Sequence, residues 1–453
     1  INPGEYQEQV EILPISGSSI SNTVTFQSST GVASDVLLRF EAMISSNNYI
    51  VLLNGADYIT IKDITFQPEG NSYARSIVFA GGADHVTIQN NRFNGYPTDS
   101  PSDNYTSIYA TSSYGVDRII QDNTFIDGGG WAINLTSGGE GGQSTGLEIT
   151  GNSITDTYNG IHLSYYDEAI VSGNTISGDG MKTYGITLEY CNGQIEISNN
   201  YIDADNLDYG IRLYRNNYVA GSTYNRGLIA NNMISVERWG IKIDSYNHYQ
   251  NIYHNTVVTS HTSGYSFDYS NSYSSNIKSM NNIYSNTSTG YAMYAQNSAS
   301  NFDSDYNNYY TAGNCLINRE GVCYPNLSIY QITYSINDYY DESSLSLSPA
   351  FVSSSNLTPQ SFLMDDMGMS GLGVSEDING TNRSASTPDM GAVEYTASEV
   401  ALSGNYSIGS GGDFSTISEA VSALNMQGVS AAVTFNINPG EYQEQVEILP
   451  ISG

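Results

Sequence analysis

The chain has 453 residues, and Asp and Glu outnumber Lys and Arg by 46 to 14, for a formal charge of −32. Such a surface repels nucleic acid and anionic membrane, and no stretch approaches the ~20 apolar residues needed for a membrane-spanning helix. With 44 Gly, 38 Tyr and 11 Pro, the composition favours turns and short strands over helices.

The first stretch, Ile1 to Gly17 (INPGEYQEQVEILPISG), recurs unchanged as Ile437 to Gly453. Seventeen identities at an offset of 436 mark a tandem array, and the chain reads as one period plus a short overlap. Adjacent identical units in the same polypeptide are therefore its expected partners. Residues resembling Glu399 to Asn436 are expected to precede Ile1.

From Ile50 to about Tyr310 a shorter phrase repeats, clearest in YGITLEYCNGQIEISNNYI and WGIKIDSYNHYQNIYHNTV. Its first core-facing residues are Ile50, Ile77, Ile108, Ile133, Ile161, Ile186, Ile211, Ile241, Phe267 and Met293, spaced 25 to 31 residues apart. That period is too short for propeller blades and lacks leucine-rich or helical signatures. It predicts an all-β fold, a right-handed single-stranded parallel β-helix with one rung per phrase across residues 1–310.

A second column supports the rungs. Asn stands two residues before an apolar or aromatic residue at Asn91, Asn123, Asn152, Asn174, Asn200, Asn232, Asn255, Asn282 and Asn308. The preceding residue is usually Asn or Gly, which tolerate the left-handed conformation of a tight bend. Coils stack ~4.8 Å apart, so these side chains are expected to form a structural hydrogen-bonded ladder.

Alternate residues of the first strand face outward: Val51, Val78, Tyr109, Asn134, His162, Thr187, Arg212, Lys242, Asp268 and Tyr294, with Ser164, Glu189, Tyr214, Asp244, Ser270 and Gln296 beside the later ones. Two readings attach to this face. One is a solvated sheet with cross-strand ion pairs. The other is a glycan-binding stripe of Glu189, Arg212, Tyr214, Lys242, Asp244, Asp268 and Tyr294, whose carboxylates also admit the pairs that glycoside hydrolysis uses.

Residues 311–395 lose the phrase and are expected to be irregular strands closing the stack. Cys315 and Cys323 are placed to form a disulfide in an oxidising exterior, leaving Cys191 as a small packed residue. No cofactor is called for beyond weak Ca²⁺ candidates, Asp377, Asn379, Asp389 and Glu394; DSDYN (Asp303, Asp305, Asn307) lacks the Gly and final Glu of a calcium loop. Residues 396–404 are small and polar, a candidate linker between units. Within 405–453, Asp413 or Ser415 can cap a short helix with Ile417, Ala420, Val421 and Leu424 on one face, ending before Gly428. Two strands around Asn438-Pro439-Gly440 then lead into the next unit.

GGDFSTISEAVSAL followed by VTFNINPGEYQEQVEI resembles the opening of pectin methylesterases and the wider pectin-lyase-like β-helix superfamily. SPAFV and DINGTNR leading to DMGAVEY resemble the closing segment of β-helix domains in large secreted surface proteins of the Bacteroidota. The resemblance implies a β-helix unit capped at its N-terminal end by the helix. The enzymes' catalytic motifs are missing, and the five histidines, His85, His162, His248, His254 and His261, show no catalytic or metal-ligand spacing.

The tandem recurrence is the stronger functional signal. It predicts a non-enzymatic structural unit of a long, secreted, cell-surface fibre or adhesin, attaching to surfaces, cells or prey. Parallel copies bundled through exposed tyrosines and surface glycans are further expected partners. The alternatives are a polysaccharide-active enzyme using Glu189, Asp244 and Asp268, and a glycan-binding module on the same face.

Overall fold

The computed structural model describes residues 1–218, 225–270, 273–296, 302–334, 340–397, 401–446 and 448. Short strands wind into a solenoid whose every full coil contributes one strand to each of three long sheets, as in Val51–Asn54, Ile59–Lys62 and Thr65–Pro68. We call these the first, second and third sheets; they hold 13, 11 and 12 strands. Pairing within them is parallel except for the last pair of the first sheet, the hairpin Ile317–Arg319 with Val322–Tyr324.

Like side chains stack on like because the registers match coil to coil. In the first sheet Ile108, Ile133, Ile161, Ile186, Ile211, Ile241, Phe267 and Met293 are successive partners, all removed from solvent. Each is worth about 1.5–3 kcal/mol of burial. Ile50 is buried too, but the partner of Ile77 is Val51. Val51 is therefore the inward residue of its coil, and Leu52 and Asn54 take the outward places. In the third sheet Phe66, Phe93 and Phe125 stack at 5.1 and 4.7 Å between ring centroids.

The corner between the second and third sheets depends on left-handed residues. Asn90, Asp122, Asn199, Asn231, His254, Asn281 and Tyr306 have φ of 53–57° there, with Gly151 and Gly173 at 65° and 66°. Each turns the chain so that the next residue, an Asn, points into the stack.

Past residue 311 the structure departs from a simple closure by irregular strands. The tyrosine-rich stretch contains α1 (Leu327–Tyr334), whose Leu327 and Tyr330 cover the last coil and join the main core. Arg319 donates to Tyr330 Oη at 3.0 Å. The disulfide Cys315–Cys323 ties the terminal hairpin beneath it, with Cα atoms 5.6 Å apart.

Residues 341–397 then run back along the outside of the third sheet. Leu357, Ala392 and Val393 cover Met233 and Val258, while Met364 and Met390 cover Ile283. Outward positions that carry Thr124, Ser153 and Thr175 in earlier coils thus become Met233 and Ile283 where this segment lies over them.

The predicted linker 396–404 overlaps a strand, Leu402–Ile408, which pairs in parallel with Val429–Ile437. Between them lies α2 (Ile417–Gln427), burying Ala423 and Leu424 against Leu402. Its N-cap is Thr416, not Asp413 or Ser415. Thr416 Oγ1 accepts from the Glu419 N–H at 3.0 Å, the usual N-cap bond, and Glu419 Oε2 accepts from the N–H of Ser415, the residue before the cap, at 2.7 Å. Gly4–Gln7 is a strand, but its identical copy, 440–443, is not. A strand needs a partner: Gly4–Gln7 has Val36–Arg39, and none of the described residues pairs with 440–443.

Candidate functional site

The outward face of the first sheet gathers most residues singled out in the sequence, and they stand in columns one coil apart. The first column is a polar relay. Asn134 donates to Asp103 Oδ1 at 3.0 Å and its Oδ1 lies 2.7 Å from His162 Nδ1. His162 Nε2 is 3.8 Å from Glu189, Glu189 is 2.7 Å from Arg212, and Arg212 reaches Asp244 at 3.1 Å. Beside it Lys242 and Asp268 pair at 3.1 Å.

These contacts set the charges. Burial pushes the Glu189 carboxyl up, but hydrogen bonds and positive charge from His162 and Arg212 outweigh it and hold it at about 2. Burial likewise raises Asp268, partly countered by Lys242. Hydrolysis of a glycoside needs one protonated carboxyl aimed at the leaving oxygen and one free carboxylate. Here Glu189 is neutralised by a guanidinium, and Asp268, 1% exposed, is neutralised by an ammonium.

A second column, not identified from the sequence, runs alongside. Trp131, Tyr184, Tyr209 and Trp239 stack with centroids 5.6, 5.0 and 4.5 Å apart and interplanar angles of 6–22°. Tyr265, Tyr291 and Tyr294 extend it as a second stacked group. The signal was present in the sequence as repeated Tyr-Gly and Trp-Gly dipeptides. The glycines are required by the stacking: a Cβ on Gly160, Gly185 or Gly210 would collide with the carbonyl oxygen of the corresponding residue one coil on.

Ring faces that lie on one another are closed to a sugar ring. Tyr294, a predicted platform, lies 4.6 Å from Tyr265 at 12°. Tyr214, the other, has Tyr190 edge-on and the Arg212 and Arg215 guanidinium groups each 5.2 Å from its centroid. What the face leaves unused is small. Thr187 Oγ1, Trp239 Nε1 and Asp268 Oδ1 are buried without a hydrogen-bond partner among the described residues.

The asparagines form a continuous ladder from Asn91 through Asn123, Asn152, Asn174, Asn200, Asn232, Asn255 and Asn282. Each Oδ1 beyond the first accepts the main-chain N–H and Nδ2 of the preceding one at 2.9–3.1 Å. The ninth member is Asn307, not Asn308. Asn308 instead exchanges two 2.9 Å bonds with the Leu347 backbone, pinning the returning segment. A shorter ladder, Asn216 to Asn247 to Ser274, stabilises the corner after the first sheet. The sequence carries no periodic signal for it, because NNY, SYNH and SSN share no constant flanking residue.

The calcium candidates do not converge on a shared point. Asp377 Oδ1 accepts the Asn379 and Thr381 N–H groups and its Oδ2 that of Glu394. Asp389 accepts from Asp366 and Tyr395. Glu394 pairs with Arg383 at 3.3 Å, and buried Arg383 reaches Asn231 Oδ1 at 2.8 Å. DINGTNR and DMGAVEY are thus the latch that holds the returning segment on the coils. No group of three or more His, Cys, Asp or Glu among the described residues is placed to hold a metal ion. Cys191 is a free, buried thiol pushed up to about 12 by its surroundings, mainly burial. A groove of about 450 Å³ where the returning segment meets the coils is lined by Glu196, Asn199, Asn231 and Glu376 among others, none of them on the first-sheet face.

The family model described as the right handed beta helix region matches residues 48–222. The chain is a right-handed parallel β-helix. Among solved structures, this β-helix is similar to the PL6 family alginate lyase AlyGC, with 12% identity, a TM-score of 0.43, and coverage of 96% of this chain and 61% of that one. It is also similar to XylC in complex with xylose (11%, 0.38, 60% and 55%) and to DFA-IIIase from Arthrobacter chlorophenolicus A6 (13%, 0.36, 76% and 81%). The chain spans 55–61% of the length of the first two, and none of these likenesses bears on what this β-helix does. No curated protein matches it.

Proposed function

We propose that this β-helix is the repeating structural unit of a long fibre or adhesin, secreted to the cell surface and used to attach to surfaces or cells. The observation that carries the reading is the unchanged recurrence of Ile1–Gly17 at Ile437–Gly453 in a chain that folds as a solenoid. A rod gains length with every added copy. A unit with 12 third-sheet strands at ~4.8 Å per coil contributes roughly 60 Å before its caps.

The outer face supports the same reading. Its carboxylates are spent on Arg212 and Lys242 and its rings on one another, so both columns stabilise the stack along its axis. The proposal is tested by electron microscopy of a chain of several periods. Rods that lengthen by one unit per copy are expected; compact particles would overturn it.

A glycan-binding role for the first-sheet face is the second reading, favoured by unpartnered polar atoms at Thr187, Trp239 and Asp268, among others. Binding of a neutral oligosaccharide that is lost on Trp239→Ala, without turnover, would select it. Cleavage of the saccharide would select the enzyme.

A further inference from the structure

We infer that Val429–Ile437 is the second-sheet strand of the coil that precedes Gly4–Gln7 in the following unit, so that the open end of each unit is completed by the cap of the unit before it. The inference rests on the tandem reading above and names what covers the exposed end.

At that end each sheet has a free edge. Among the described residues, Gly4–Gln7, Val10–Ile12 and Val24–Gln27 each pair on one side only, with Val36–Arg39, Val51–Leu53 and Ile59–Lys62. Tyr6, Val10, Ile12, Ile15, Val24 and Phe26 are only partly buried against the core. Three observations fix the occupant.

The first is the winding order. Within the solenoid each third-sheet strand follows a second-sheet strand. Gly4–Gln7 is a third-sheet strand, so a second-sheet strand must come before it. In the other copy of the phrase the residues in that place are Val433–Asn436, VTFN, already a strand. The free second-sheet edge reads VTFQ, Val24–Gln27.

The second is register. The Ile1 nitrogen donates to the Gln27 carbonyl at 2.6 Å, and the Ile1 carbonyl accepts from the Ser29 N–H at 2.7 Å. These two bonds are the pattern of a parallel pair with Ile1 opposite Ser28. Ile437 holds the same place in its copy. Counting back from it sets Asn436 opposite Gln27, Phe435 opposite Phe26, Thr434 opposite Thr25 and Val433 opposite Val24. The hydrogen bonds and the VTFN/VTFQ match thus give the same alignment independently.

The third is sidedness. Phe26 continues the inward column of Ile61 and Ile88. Phe435 and Val433 point to the side occupied by α2 and Tyr406, with Phe435 and Tyr406 centroids 5.9 Å apart. In the inferred register Phe435 covers Phe26, and α2 lies on the core side, over the open end. The cap and the coils that follow it are then one continuous sheet, the structural unit starts near Leu402, and the joint between structural units falls ahead of that residue.

The test is a chain of two periods, residues 1–436 followed by 1–453, with Thr434→Cys in the first copy and Thr25→Cys in the second. Both threonines are exposed, and parallel partners about 4.8 Å apart lie within disulfide reach. A cross-link in most molecules is expected by peptide mass mapping, with at least tenfold less when Asn436→Cys replaces Thr434→Cys, a position about 8 Å away. No cross-link, or equal cross-linking of both pairs, overturns the inference. A second measurement needs no cysteine. Moving residues 401–436 to precede Ile1 should raise the Tm above that of the original chain, and an equal or lower Tm overturns the inference. Microscopy of the two-period chain separates the two proposals. Cross-linked chains that form no rods would remove the fibre reading alone, and rods without the cross-link would remove this one.

Discussion

Asn200→Ala tests the ladder where it is most enclosed. Asn200 is fully buried. Its Oδ1 accepts both the main-chain N–H and Nδ2 of Asn174 at 3.0 Å, and its Nδ2 donates to the Val171 carbonyl and to Asn232 Oδ1 at 2.9 Å. Truncation removes all four bonds and orphans two donors of Asn174 where water cannot replace Asn200. At ~1–3 kcal/mol for each buried group left unsatisfied, the loss is about 2–6 kcal/mol. The assay is urea unfolding followed by far-UV circular dichroism and tyrosine fluorescence together, since a long solenoid can unfold in sections. Asn206→Ala is the control: its Nδ2 donates to the Asp179 carbonyl at an exposed site, and its loss should stay within ~0.5 kcal/mol. An Asn200→Ala loss below about 1 kcal/mol, or one equal to the control, would refute the claim that the ladder holds the corner.

Further outcomes follow from the latch, the carboxyls and the disulfide. Arg383→Ala leaves Glu394 and Asn231 without their buried partner, at a cost of about 3–5 kcal/mol, and should expose residues 341–397 to limited proteolysis before the coils are cut. Two carboxyls give opposite pH limbs in urea midpoints. Burial, only partly countered by bonds from Ser344, Ser304 and Tyr309, pushes Asp341 up to about 6, above the ~3.9 of an unfolded Asp; its contribution is full below that value and lost as pH rises through about 6, so Asp341→Asn should flatten that limb. Glu189, held at about 2, contributes above ~4.3 and loses that contribution as pH falls towards 2; Glu189→Gln should flatten the acid limb. Closing the short Cys315–Cys323 loop, a separation of 8 residues, is worth roughly 2.5 kcal/mol of chain entropy; replacing both cysteines with Ser should lower protection of the hairpin and α1 in hydrogen exchange and leave the first coils unchanged.

The stacked columns were legible because a solenoid repeats its environment. An isoleucine at each phrase start and an Asn two residues before an apolar side chain recur at each coil, so the period alone places Ile108 to Met293 and Asn91 to Asn282. The charged face is legible for the same reason: alternation places Glu189, Arg212, Lys242, Asp244 and Asp268 on one sheet, and they meet there as ion pairs.

What the sequence could not decide were contacts made outside that repetition. Asn307 and Asn308 are adjacent and identical in type; which one joins the ladder depends on Tyr306 taking the left-handed turn and on Leu347 returning to claim Asn308. The path of residues 341–397 depends on Arg383, Asp389 and Asn231, which are 152 residues apart at the widest hydrogen bond and share no period. Aromatic residues in a column were readable as amphipathic contact area, but whether their faces meet a ligand or each other is settled by the ~4.8 Å rise of the coils, which closes ring upon ring. The 17-residue phrase is the plainest case. Its sequence marks the repeat in both copies, yet among the described residues Gly4–Gln7 is a ladder strand and 440–443 is not, because backbone pairing requires a neighbouring coil and Val36–Arg39 supplies one to the first copy.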